Sequence, residues 1–198
     1  MLTRLKKKVQ ALLVSQAYLI HRAGLSPNHL SFIGLIFAAL SGIYYSKANS
    51  SNFFMIGAPI LLVISGYFDA LDGVLAREYD QITKLGGFLD SLFDRYTDVF
   101  IFLGIIVGDL CHPFWGIVAL TGSLLVSYTR ARSEAGGIRM ETVGLTERAE
   151  RILIIVIASL LNLFVAYALG WGIVLLAVLT NITVLQRAYH FYKRSKDI

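Results

Sequence analysis

Apolar residues along this chain fall into blocks of about 17–23 residues, the length a helix needs to cross the hydrocarbon core of a bilayer. Six blocks are read, over residues of about 30–46, 53–77, 86–108, 113–132, 148–169 and 171–192. Ser26-Pro27-Asn28 marks the start of the first, with proline placed in the opening turn. Short polar turns at 47–52, at 109–112 and around Gly170 make neighbouring helices antiparallel. The third block is the least apolar, since Asp90, Asp94, Arg95 and Asp98 interrupt its first half. It is retained because residues 99–107 are strongly apolar and its carboxylates have a shared reason to be inside. Ahead of the first block, residues 1–26 mix Arg4, Lys6, Lys7, Lys8 and Arg22 with leucine and valine. With neither a continuous apolar core nor a small-residue cleavage site, this stretch predicts an amphipathic juxtamembrane helix rather than a signal peptide.

Composition agrees. The 198 residues are 56% hydrophobic and 16% charged, with mean hydropathy +0.66, against about 25% charged for a soluble domain. The expectation is one all-α integral membrane domain over residues 1–198, with no linker and no repeat. Of the 18 lysines and arginines, only Lys47 falls in the turns opposite the N-terminus. The positive-inside rule then predicts a multi-pass cell-membrane protein with both termini cytoplasmic. The net charge of +5 lacks the aromatic-basic alternation of a nucleic-acid binder. Cys111 is the single cysteine, so no intrachain disulfide and no Cys/His metal site is expected.

Four carboxylates stand against this apolar background. The run reads Asp69-x2-Asp72-Gly73-x2-Ala76-Arg77-x8-Gly86-x3-Asp90-x3-Asp94. Charge inside a membrane survives when it is paired, metal-bound or facing water. Residues three or four apart share a helix face, so Asp69 with Asp72, and Asp90 with Asp94, project together from adjacent helices at their cytoplasmic ends. Four converging negative charges call for a hard divalent cation with oxygen ligands: Mg²⁺, Mn²⁺ or Ca²⁺ rather than Zn²⁺. Gly73, Ala76 and Gly86 leave room for a ligand to approach the backbone, and Arg77 can clamp a phosphate. Metal, arginine and a small-residue cradle together suit a diphosphate and phosphoryl transfer. Asp98 continues the same face one turn deeper and reads as the partner of an arginine more than as a ligand.

This pattern resembles, position for position, the motif of the CDP-alcohol phosphotransferases (class I CDP-alcohol phosphatidyltransferases), and chain length and span count fit the same family. The resemblance implies that Asp69, Asp72, Asp90 and Asp94 hold a binuclear Mg²⁺ or Mn²⁺ centre, with Asp94 also the general base. Asp69, Asp72, Gly73, Ala76, Arg77 and Gly86 would shape the CDP site. The acceptor oxygen would attack the β-phosphate of a CDP-linked lipid, CDP-archaeol or CDP-diacylglycerol, and release CMP. The family also implies a homodimer.

A second polar cluster bears on the acceptor. Arg130 and Arg132 close the fourth block, Arg148 and Arg151 open the fifth, and Arg187 sits in the inner half of the sixth, all candidates for a phosphate site. Arg139, Lys193, Arg194 and Lys196 read as membrane anchors. The stretches 25–31, 127–134 and 147–151 are similar to the branch that makes inositol-phosphate lipids, the phosphatidylinositol-phosphate and archaetidylinositol-phosphate synthases, with inositol 1-phosphate as acceptor. The glycerol 3-phosphate branch also needs a phosphate pocket. A membrane prenyltransferase would carry its acidic boxes on distant helices. A transporter would line a path through the membrane with polar groups, whereas here the outer halves of the spans are apolar.

Overall fold

The computed structural model describes residues 13–140 and 143–196, which are helical apart from turns. A first helix, α1, covers residues 13–22. The basic first half of the expected amphipathic segment, with Arg4 and Lys6 to Lys8, lies outside the described residues. Six further helices follow: α2 (Pro27–Ser46), α3 (Asn52–Glu78), α4 (Lys84–Val107), α5 (Pro113–Ala135), α6 (Arg148–Leu161) and α7 (Ala168–Arg194), with a short 3₁₀ turn at Ala48–Ser50.

Local chemistry sets most of these boundaries. Ser26 and His29 form a capping box ahead of Pro27. Ser51 caps α3, accepting from the Phe53 amide at 3.2 Å, and Thr83 caps α4, accepting from the Gly86 amide at 2.9 Å. Glu147 and Glu150 form a capping box at the start of α6. One boundary differs from the sequence reading. The fifth predicted span, α6, ends at Leu161 rather than near residue 169, and the last, α7, begins at Ala168 rather than 171. The turn between them passes through Tyr167 at φ 64° and is held by the Asn162 side-chain oxygen, which accepts from the Leu169 amide at 3.1 Å. Gly170 therefore lies within α7.

Helix α2 packs on α3 and α4, α5 on α7 and α4, and α6 on α3 and α7. The main core gathers Tyr45, Leu62, Phe102, Ile105, Leu169 and Leu176 at the end remote from the acidic cluster. The α2–α4 contact is backbone on backbone. A Cβ on Gly104 would lie 2.2 Å from the Gly42 carbonyl oxygen, and one on Gly108 would lie 2.2 Å from that of Tyr45. Only glycine permits that approach. At the other end α1 closes over α2 and α3: Ala17 is buried with Leu30, Leu71 and Leu75, and His21 stacks on Tyr79 at 3.9 Å.

Helices α2, α3 and α7 are long and apolar enough to cross a membrane, with mean hydropathies of 1.4, 1.8 and 2.1. Only 39%, 33% and 33% of their apolar windows is buried within the chain. The remainder is half-buried or exposed, as on a lipid-facing surface. The 14 residues of α6 span only about 21 Å at about 1.5 Å per residue.

Candidate active site and metal centre

The acidic cluster forms between the ends of α3 and α4 nearest the loop that joins them, both helices being packed on α2. One carboxylate oxygen each from Asp69, Asp72 and Asp90 lies within 4.8 Å of the other two. Asp72 is buried, and its Oδ2 accepts a 2.5 Å hydrogen bond from the Ser31 hydroxyl of α2. Three converging anionic oxygens with no nitrogen or sulfur donor among them fit a hard divalent cation.

Asp94 shares the α4 face with Asp90 but is engaged elsewhere. Arg148, the first residue of α6, points Nη1 between the two acidic helices, 2.8 Å from Asp69 Oδ2 and 2.5 Å from Asp94 Oδ1. The pairing is incomplete: Asp94 Oδ1 and Arg148 Nε are both buried without a well-formed hydrogen bond. One turn deeper, Arg151 Nη2 donates to Asp98 Oδ2 at 2.9 Å, and both side chains are buried. Asp98 is thus an arginine partner, as its sequence position suggested.

Two cavities meet at this cluster. The first, of 460 Å³, lies between α2, α3 and the start of α4 and is lined by Asn28, Ser31, Asp69, Asp72, Gly73, Ala76, Arg77, Gly86 and Asp90. Gly86 matters for its shape, since a Cβ there would lie 3.0 Å from Thr83 Oγ1 and 3.2 Å from Asn28 Oδ1. The second, of 340 Å³, lies between α4, α5, α6 and α7 and is lined by Asp90, Asp94, Arg130, Glu134, Glu147, Arg148, Arg151 and Arg187. Asp90 borders both cavities.

Four of the five arginines singled out in the sequence line the second cavity. Arg130 does so while paired with Glu134 at 3.0 Å. Arg187 does so from a buried position, its Nε donating to the Val143 carbonyl at 2.9 Å and its Nη1 to that of Val126. Arg132 does not join them. It is exposed and lines neither cavity, because residues two apart on a helix point to different sides. Sequence reasoning placed Asn28, Ser31, Glu134 and Glu147 only within the stretches 25–31, 127–134 and 147–151, without naming them as site residues, and did not mention Thr83. A usable signal existed for Asn28 and Ser31: polar residues at i and i+3 at the entry of an apolar helix.

Comparison with known proteins agrees with this geometry. The family model described as CDP-alcohol phosphatidyltransferase matches residues 25–183. The chain is 39% identical to an archaetidylinositol phosphate synthase of Pyrococcus horikoshii, over 98% of each chain. It is 36% identical to another archaetidylinositol phosphate synthase, from Methanothermobacter thermautotrophicus, over 88% of this chain and 87% of that one. Among solved structures it resembles the phosphatidylinositol phosphate synthase of Mycobacterium tuberculosis with CDP-DAG bound, at TM-score 0.81 and 27% identity, covering 92% of this chain and 94% of that one. The same enzyme in complex with manganese and citrate superposes at TM-score 0.80.

Proposed function

The chain belongs to the CDP-alcohol phosphatidyltransferase family, and from that premise we propose that it is a metal-dependent synthase of inositol-phosphate lipids. It transfers the phosphatidyl or archaetidyl group of a CDP-linked lipid to a hydroxyl of inositol 1-phosphate and releases CMP. The observation that carries this reading is the pair of cavities joined at Asp90. One has the small-residue walls and Arg77 that a CDP group needs, and the other has the arginines that a phosphorylated acceptor needs. Glycerol 3-phosphate, the alternative acceptor, also carries a phosphate. The two archaetidylinositol phosphate synthases to which this chain is similar favour the inositol-phosphate branch.

Asp69, Asp72 and Asp90, with Asp94 completing the set, would hold Mg²⁺ or Mn²⁺. A divalent pair held there would neutralise the diphosphate and stabilise the departing CMP. The protein's own groups do the rest. Gly73, Ala76 and Gly86 admit the nucleotide, and Arg77 holds its phosphates. Arg130, Arg148, Arg151 and Arg187 draw in the acceptor's phosphate and direct its hydroxyl toward Asp90 and Asp94. Asp94 takes the hydroxyl proton as the acceptor oxygen bonds to the β-phosphorus. The bond from that phosphorus to the CMP oxygen breaks, and CMP leaves with the electron pair.

The exposed apolar surface of α2, α3 and α7 and the placement of basic residues support a multi-pass arrangement with the site on the cytoplasmic side. In it the water-soluble acceptor reaches the arginines directly. The same apolar surface leaves area for a second copy, and a homodimer is the assembly proposed.

The test is CMP release by the purified protein from CDP-diacylglycerol and CDP-archaeol, with Mg²⁺ or Mn²⁺, against inositol 1-phosphate, free inositol, glycerol 3-phosphate and serine. Release that needs metal and inositol 1-phosphate supports the assignment. Release with glycerol 3-phosphate instead moves the chain to the other branch. Metal-independent release, or none with any acceptor, overturns the reading.

A further inference from the structure

We propose that Arg148 is a movable guanidinium that a divalent cation displaces: it occupies the place between Asp69 and Asp94, and on entry of the cation it turns into the arginine-lined cavity to bind the acceptor's phosphate. Only the last step rests on the function proposed above.

The position is contested. Nη1 stands 2.8 Å from one carboxylate oxygen and 2.5 Å from the other, so a cation using those same two oxygens competes with it for them. Two positive charges at such a separation repel, and the divalent ion carries the larger share of attraction to oxygen. The hold on Arg148 is also incomplete, since its Nε and Asp94 Oδ1 both lack a well-formed hydrogen bond. Arg151 offers the contrast. Its Nε is unpartnered too, but its Nη2 makes a well-formed bond to Asp98, which lies outside the Asp69–Asp72–Asp90 group, and nothing competes for it.

Arg148 has somewhere to go. It borders the arginine-lined cavity and also the narrow gap among Ser31, Asp69, Asp90 and Thr97. As the first residue of α6, it can swing its side chain without disturbing the helix behind it. The movement couples two events. Cation binding frees a phosphate-binding guanidinium, and at the same moment frees Asp94 from its ion pair. The acceptor's phosphate is then gripped fully only when the metal centre is formed.

The experiment is a titration of Mn²⁺ into the EDTA-treated full-length protein in detergent. Free Mn²⁺ is followed by electron paramagnetic resonance, for the wild type, Arg148→Gln and Arg148→Lys, with and without saturating inorganic phosphate. The expected result is that Arg148→Gln binds Mn²⁺ tighter than wild type by on the order of fivefold to tenfold. Phosphate should tighten Mn²⁺ binding in the wild type and have no such effect in Arg148→Gln. Unchanged or weaker Mn²⁺ binding by Arg148→Gln overturns the proposal, and so does a phosphate effect that persists in that variant, because the anion would then be binding the ion itself. If Arg148→Gln does not fold, Arg148→Lys decides: tighter binding than wild type supports displacement, and equal or weaker binding overturns it. Failure of the wild type to bind Mn²⁺ also overturns it. No turnover is measured, so a protein that shows this linkage yet makes no inositol-phosphate lipid would refute the proposed function and leave the displacement standing.

Discussion

The guanidinium of Arg151 and the carboxylate of Asp98 lie 2.9 Å apart, both buried, one turn deeper than the Arg148–Asp94 pair. Helices α4 and α6 are thus joined by two successive acid–arginine rungs, the deeper one buried and the upper one more exposed. Arg151→Ala would strand Asp98 in the interior. A buried charge left without its partner costs about 3–5 kcal/mol. The variant should therefore melt well below the wild type, and the double variant Asp98→Asn/Arg151→Met should recover much of the loss. Because Arg151 also lines the arginine-walled cavity, any Arg151→Ala protein that folds should show a raised KM for the acceptor and a smaller change for the CDP-lipid.

Asp94→Asn removes the proposed proton acceptor while Asp69, Asp72 and Asp90 still converge. General-base catalysis contributes about 100-fold to 10,000-fold. CMP release should fall by about that factor, with CDP-lipid binding largely kept, as read by equilibrium binding of the lipid. Near-normal turnover would remove Asp94 from that role.

Ser31 donates a hydrogen bond to Asp72, a predicted ligand of the motif. Groups that hydrogen-bond a metal-ligating carboxylate are worth about 10-fold to 100-fold in metal affinity. Ser31→Ala should weaken Mn²⁺ binding within that range without altering acceptor KM at saturating metal. Unaltered Mn²⁺ affinity would show that the hydroxyl does not orient the carboxylate.

Gly104→Ala probes the backbone contact between α2 and α4. The added methyl would sit 2.2 Å from the Gly42 carbonyl oxygen, which no rotamer relieves. Overpacking costs about 1–3 kcal/mol, sometimes more. The melting temperature should drop. Activity should drop with it, because α2 carries Ser31 and α4 carries Asp90 into the site.

Much of this was legible in the residue order. The acidic pairs could be read because a three- or four-residue spacing puts two carboxylates on one helix face whatever the tertiary fold. Their neighbours Gly73, Ala76, Arg77 and Gly86 do line one cavity with them. What was hidden depends on packing. No local pattern says that Arg148 reaches across to Asp69 and Asp94, since that contact joins residues 79 and 54 positions apart. The outward turn of Arg132 follows from helical phase and could have been read from its two-residue offset from Arg130. The end of α6 was masked because residues 163–165 are Leu, Phe and Val, so the turn carries no glycine or proline. The tight α2–α4 approach did leave a trace, the four-residue spacing of Gly104 and Gly108.

The two cavities draw on nearly separate sets of helices. Helices α2 and α3 wall the one assigned to the nucleotide, α5 to α7 wall the one assigned to the alcohol, and α4 alone faces both. Changes confined to α5, α6 or α7 can therefore alter which alcohol is accepted while leaving nucleotide handling intact. Such a partition makes the scaffold evolvable in one direction at a time. New headgroups can arise by remodelling one room of the protein, and a designer seeking a different lipid product would begin with the walls contributed by α5 and α7.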